Sequence, residues 1–147
     1  MAMEWQRGEY RVSDDRSRLD LGVIHRFMSG ESYWAAGISE SIMARAMAHS
    51  LCFGLFQEGE QIGFARVVTD RATFGYLCDV FVGQSHRGRG LGKWLVECVV
   101  AHPDLQGLRR LALMTRDAHE LYRPLGFRPM ADATRYLEIH RPDAYRA

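Results

Sequence analysis

The chain has 147 residues, 47% of them hydrophobic and 25% charged, with a formal net charge of +1 at pH 7. That is the size and apolar content of one ordinary domain with a buried core, which excludes a disordered chain and a disulfide-stapled miniature. The near-neutral balance argues against a dedicated binder of nucleic acid or of a membrane surface and leaves open only a local basic patch.

Cys52, Cys78 and Cys98 are an odd set without CxxC spacing. They read as reduced, mostly buried thiols, and not as a metal site or a disulfide frame. Residues 1–10 are polar with no apolar signal region, and no apolar run approaches the ~18 residues that a bilayer span needs. The expectation is one soluble, cytoplasmic domain over residues 1–147.

In chain order, 9–13 reads as a short first strand. Leu19, Val23, Ile24 and Phe27 share one face of a helix over 19–28, with Asp14 or Asp15 as its start and Gly30 as its stop. A second helix runs from an N-cap at Ser39 to about His49, burying Ile42, Met43, Ala46 and Met47. The period then shortens. Strands at 51–57 and 61–69 flank Glu58-Gly59-Glu60, a hairpin signal, and a third strand follows at 73–82. Leu91, Trp94, Leu95, Cys98 and Val99 mark the clearest amphipathic helix, ending near His102 because Pro103 disfavours helical geometry before it. Residues 109–115 are apolar enough for a buried strand. Asp117 caps a short helix holding Ala118, Leu121 and Tyr122, with Gly126 as its stop and Pro124 tightening the last turn. A strand at 134–140 closes the sheet. The fold class is α/β (α+β), a mixed sheet with helices on its faces.

The chemistry concentrates in Arg87-Gly88-Arg89-Gly90-Leu91-Gly92-Lys93, between a strand and the strong helix. The first N–H groups of a helix lack internal partners and carry partial positive charge, and glycines let a bulky anion reach the backbone. Such a loop suits a phosphate or pyrophosphate; a Gly-rich turn with solvated arginines is the bland alternative. An ATP-type loop fails, because Arg87 stands where the first Gly belongs and Trp94 follows Lys93. The dinucleotide pattern Gly-x-Gly-x-x-Gly fails at Lys93. What matches is Arg-x-x-Gly-x-Gly, from Arg87 to Gly92.

Three linked pieces carry a family resemblance: the strand end Asp79-Val80-Phe81-Val82, the Arg87–Gly92 loop opening a helix, and residues 118–127, which fit A-x-x-L-Y-x-x-x-G-F. In this order they resemble the GNAT superfamily of acyl-CoA-dependent N-acyltransferases. The resemblance implies a mostly antiparallel sheet of six to seven strands flanked by helices, with acetyl-CoA as co-substrate and no metal. It implies that the strand carrying Val82 is splayed from its parallel neighbour, so that main-chain groups of Phe81 and Val82 pair with pantetheine amides. Arg87, Gly88, Arg89, Gly90, Leu91, Gly92 and Lys93 would hold the pyrophosphate, mainly by backbone N–H. Asp117 stands where many members have an asparagine touching pantetheine; an ionised aspartate accepts but cannot donate, so an N-cap role competes.

Acetyl transfer to an amine needs a deprotonated amine, because an alkyl ammonium of pKa ~10.4 has no lone pair, and a donor for the departing thiolate. Tyr122 matches the family's tyrosine, with a core tyrosine as the alternative. Asp79, an acid in an apolar strand, is either the base or ammonium anchor, or an ion-pair partner of Arg66 or Arg109. His25, His86 and His119 read as polar surface or loop residues. Tyr33 and Trp34, aromatic residues where a linker should be polar, are candidates for the acceptor pocket, with Glu31 beside them. The implied activity is acetylation of a primary amine of a small molecule or peptide by direct attack in a ternary complex. A homodimer fits the family, and the rival reading is an acetyl-CoA-binding regulatory module of the same fold.

Overall fold

The computed structural model describes residues 1–146. Its first element, β1 (Glu4–Arg7), is a strand the sequence pattern did not disclose; only Trp5 of it is half-buried. Gly8, at φ +57°, turns the chain into β2 (Tyr10–Ser13), the strand expected at 9–13.

The first long helix, α1 (Leu21–Gly30), starts later than Asp14 or Asp15 would have it. Asp15 caps only a single 3-10 turn at Arg16–Arg18, and Asp20 caps α1 by accepting from the Val23 N–H at 3.1 Å. Ser39 caps α2 (Glu40–Ala48) as expected, its Oγ accepting from the Ile42 N–H at 3.2 Å.

An antiparallel meander follows: β3 (Leu51–Gln57), β4 (Glu60–Thr69) and β5 (Phe74–Val82). The helix α3 (Leu91–Ala101) crosses over to β6 (Arg110–Leu113), which pairs parallel with β5. The short α4 (His119–Tyr122) runs into a 3-10 turn at Arg123–Leu125, so Pro124 does tighten the helix end, and Gly126 stops it at φ +100°. The residue at the start of α4 is Ala118, whose N–H donates to Thr115 Oγ1; Asp117 does not cap it.

The six strands lie in sequence order, and every pairing but the last is antiparallel. The strand expected at 134–140 does not form within the chain. Asp132 instead caps a 3-10 turn at Ala133–Arg135, and the residues after it run exposed. No helix among the described residues is long and apolar enough to cross a membrane.

The sheet has a core on each face. On one, Phe53, Leu55, Ala65, Val67 and Leu77 pack against Leu95 and Val99 of α3. On the other, Cys52, Phe64 and Phe81 meet Ile24 and Met28 of α1 and Met43 of α2. Each of the larger of these, the Val, Leu, Ile, Phe and Met side chains, contributes about 1.5–3 kcal/mol by leaving water. A buried polar link pins the α3 end to the sheet: Asp14 Oδ2 accepts from His102 Nε2 at 2.7 Å, while His102 Nδ1 accepts from the Asp104 N–H and so fixes that tautomer.

Candidate active site

Two features of β5 open the sheet. Its pairing with β6 runs only from Phe74 to Leu77, so residues 78–82 extend past the last partner, Leu113. At that point β5 also carries a bulge against β4. Phe64 pairs with Phe81 and Arg66 with Cys78, so Ala65 alone opposes both Asp79 and Val80. Asp79 takes φ +57°, a left-handed conformation that an aspartate tolerates better than most side chains. A bulge of this kind bends its strand and increases the local twist, and it falls just past the point where the pairing with β6 ends.

Beyond the bulge, the Gly83 N–H donates to the Ile62 carbonyl at 2.6 Å. The two-residue alternation therefore turns Phe81's main chain toward β4 and Val82's toward the open edge. Phe81 has its ring stacked on Phe27, centroids 3.9 Å apart, and its carbonyl lies 2.8 Å from where a Cβ on Gly63 would sit. Of the two residues expected on the open edge, Val82 is there and Phe81 faces the opposite way. The Val82 carbonyl accepts from Arg87 Nε at 2.9 Å.

The loop behind this edge enters α3 through Gly88 (φ +80°) and Gly90 (φ +74°). Gly90 is the N-cap, no side chain caps the turn, and the first helical bond is from the Trp94 N–H to the Gly90 carbonyl. The amides of Leu91, Gly92 and Lys93 thus stand at an uncapped, dipole-positive helix end. Arg89 is drawn back to β2, donating to the Tyr10 hydroxyl at 2.7 Å, whereas Lys93 is exposed. His86 Nδ1, beside the loop, is buried with no hydrogen-bond partner among the described residues.

Asp79, at the bulge, meets Trp34, a candidate acceptor residue in the linker between α1 and α2. Asp79 is 7% exposed and both its oxygens are engaged: Oδ2 accepts from Arg66 Nε at 2.7 Å and Oδ1 from Trp34 Nε1 at 3.0 Å. Arg66 also donates to Ser50 Oγ at 3.0 Å. Of the partners expected for Asp79, Arg66 forms the ion pair and Arg109 does not. Tyr33 stands edge-on to Trp34 with centroids 5.0 Å apart, and the Arg116 guanidinium lies 3.9 Å over the Tyr33 ring. Burial holds the Tyr122 phenol above its usual pKa, and the neighbouring Tyr33 raises it further.

Trp34 and Asp79 are therefore joined by a hydrogen bond with Tyr33 packed on Trp34, and Tyr122 is close enough to Tyr33 to feel its charge. Asp117 stands apart: its side chain is mostly exposed and reaches only Arg116, at 3.6 Å. Arg116 is the contact that sequence reasoning missed, and an arginine in a loop gives no signal for it. His25 Nε2 is bonded to the Ile38 carbonyl and His119 is exposed. A cavity of about 650 Å³ runs along the outer edge of β6; it touches Tyr122 and His119 but not the α3 loop.

The sequence profile described as the acetyltransferase (GNAT) family matches residues 3–127. A Gibberella zeae protein that carries a provisional acetyltransferase name is 34% identical over 140 residues, covering 80% of this chain and 78% of that one. A crystal structure of a protein assigned to the GNAT family from Xanthomonas campestris pv. campestris matches with a TM-score of 0.91 and 51% identity, over 94% of this chain and 97% of that chain. A GNAT family acetyltransferase from Elizabethkingia anophelis with acetyl-CoA bound shares the fold at a TM-score of 0.53 and 17% identity, over 61% of each chain.

Proposed function

The chain belongs to the acetyltransferase (GNAT) family, and on that premise we propose that it moves an acetyl group from acetyl-CoA to a primary amine of a small molecule or peptide, by direct attack in a ternary complex. The observation that carries this reading is the open edge of β5 followed, across the loop 83–90, by the uncapped first turn of α3.

The residues present suit acetyl-CoA, which supplies the acetyl group already activated as a thioester. Amides of Leu91, Gly92 and Lys93 suit a diphosphate, and a Cβ on Gly88 or Gly90 would meet nothing within 4 Å, so an anion can approach the backbone there. Arg87 and Lys93 add positive charge. Val82 offers its main chain to an extended ligand arm in the manner of strand addition.

The neutral amine attacks the thioester carbonyl and the C–S bond breaks. Tyr122 Oη donates a proton to the departing sulfur, and the proton shed by the nitrogen returns to the phenolate, leaving an amide and a free thiol. The buried phenol is in its donating form at neutral pH. Tyr33 and Trp34 line the approach of the amine. Asp79, with both oxygens engaged, is assigned the positioning role: it holds the Trp34 indole and the Arg66 guanidinium beside the path the amine takes.

The test is free-thiol release from acetyl-CoA over a panel of amines and peptide N-termini, with acetyl-CoA affinity measured by calorimetry. The expected result is turnover on at least one amine. Tyr122→Phe should lower kcat by about 10²–10⁴-fold with little change in acetyl-CoA affinity. Acetyl-CoA binding without thiol release on any amine favours the regulatory module, and full turnover in Tyr122→Phe removes that residue from the mechanism.

A further inference from the structure

Building on the acetyl-transfer reading above, we propose that the acceptor amine also carries a carboxylate, as an amino acid or short peptide does, and that Arg116 binds that group. Arg116 lies between β6 and α4, and Tyr33 lies in the linker between α1 and α2. Their stack, with the guanidinium carbon 3.9 Å from the ring centroid, joins two segments far apart in the chain. One of the two leads into the helix that carries Tyr122.

The guanidinium is seated from the interior outward. Asp79, buried at the bulge, accepts from Trp34 Nε1 at 3.0 Å and fixes the indole. Tyr33 packs edge-on against that indole, and Arg116 lies over Tyr33. Tyr33 is also near enough to Tyr122 to raise its pKa. A cation seated on Tyr33 is thus one aromatic ring removed from the residue assigned to the departing sulfur.

That cation has donors to spare. Stacking occupies the face of a guanidinium and leaves its N–H groups directed outward in the plane, in a fork that matches a carboxylate. The acidic neighbour of Arg116 is Asp117, whose Oδ2 lies 3.6 Å from Nη2, beyond hydrogen-bond distance. The two side chains are 64% and 69% exposed, so water screens the pair and an incoming carboxylate competes with it.

The sign of the charge selects the acceptor. Both oxygens of Asp79 are spent on Arg66 and Trp34, so the buried carboxylate offers no partner to a second cation on the acceptor. The fork over Tyr33 instead offers paired donors to an anion. A carboxylate suits it better than a phosphomonoester, because Asp117 beside it repels a dianion more than a monoanion.

The test is thiol release from acetyl-CoA with matched acceptors: amino acids and dipeptides, each against its own carboxamide, with rates taken on the concentration of unprotonated amine. For the best pair, wild-type kcat/KM should favour the carboxylate by about tenfold to a hundredfold, through KM. Arg116→Gln should bring that ratio close to one. Arg116→Lys, which keeps the charge and loses the fork, should retain part of it, and Tyr33→Leu, which removes the seat, should lower it. A merely structural stack would lower both members of a pair together and leave their ratio unchanged. Equal use of both members by the wild type, a ratio that Arg116→Gln leaves intact, or better use of aminoethyl phosphate than of any carboxylate overturns the proposal while acetyl transfer stands. No thiol release with any amine overturns both. The wild-type ratio needs no variant, so a misfolded substitution does not shield the proposal.

Discussion

Replacing Asp79 tests whether a buried ion pair holds the bulge. The Arg66 and Asp79 side chains are 17% and 6% exposed, and removal of the carboxylate leaves the guanidinium with Ser50 Oγ as its remaining side-chain partner. An uncompensated buried charge costs about 3–5 kcal/mol. Alanine adds about 1–2 kcal/mol of strain, because position 79 sits at φ +57°. Asp79→Ala should therefore lose about 5 kcal/mol, and Asp79→Gly about 1 kcal/mol less because glycine accepts that backbone. Adding Arg66→Met to Asp79→Ala should recover most of the loss, since no charge then remains to be desolvated. In urea, with m about 2 kcal/mol/M, the alanine variant should shift its midpoint by about 2.5 M. Tryptophan fluorescence reads the transition, with Trp34 bonded to the altered side chain. A glycine variant no more stable than the alanine one would refute the backbone argument. A double variant no more stable than Asp79→Ala would refute the ion-pair argument.

Gly90→Ala should destabilise by about 1–2 kcal/mol from backbone strain alone, since its Cβ meets nothing within 4 Å. Gly90→Asn should cost less, as asparagine tolerates that region and caps helices; paired thermal melts compare the two. Asp20→Ala should cost about 1 kcal/mol and speed amide exchange in the first turn of α1, whereas Asp15→Ala should leave that turn unchanged. Burial raises the thiol of Cys52 to about 11 and those of Cys78 and Cys98 to about 12. All three should resist alkylation at pH 8 until the chain is denatured. Above the unfolded thiol pKa of about 8.5 the unfolded chain loses protons that the native chain keeps, so stability should fall as pH rises toward 11, and Cys78→Ala should flatten that fall.

The fold was legible where periodicity and punctuation agreed. Ser39, the hairpin at Glu58-Gly59-Glu60 and the apolar stripe of α3 each announced their elements. β1 went unseen because Glu4, Gln6 and Arg7 are exposed and only Trp5 reaches the core. Asp14 and Asp15 precede an apolar stripe that begins at Leu19, where a cap belongs, yet a 3-10 turn at Arg16–Arg18, itself capped by Asp15, intervenes and leaves the α1 cap to Asp20. Alternation in 136–140 reads as a strand, but a pattern of side chains supplies no partner, and those residues join no ladder among the described residues.

The site shows the same division. Tyr33, Trp34 and Asp79 stood out because each breaks its local pattern, aromatic in a linker or acidic in an apolar strand. The bulge left no trace. Leu77 and Phe81 have the same parity in the sequence, which in a regular strand would put them on one face, yet they belong to opposite cores. Arg116 is set by the meeting of two loops distant in the chain, which single-sequence patterns do not encode.

Because the bulge is one surplus residue, its loss would leave the neighbours on either side facing as before. A β5 of eight residues in place of nine would still send Leu77 toward α3 and Phe81 toward α1, but without the kink that steers it off β6. The two parallel strands would zip together, gaining hydrogen bonds and thermal tolerance while shutting out any extended guest. The open edge of β5 is a standing sacrifice of sheet cohesion beside a single extra amino acid.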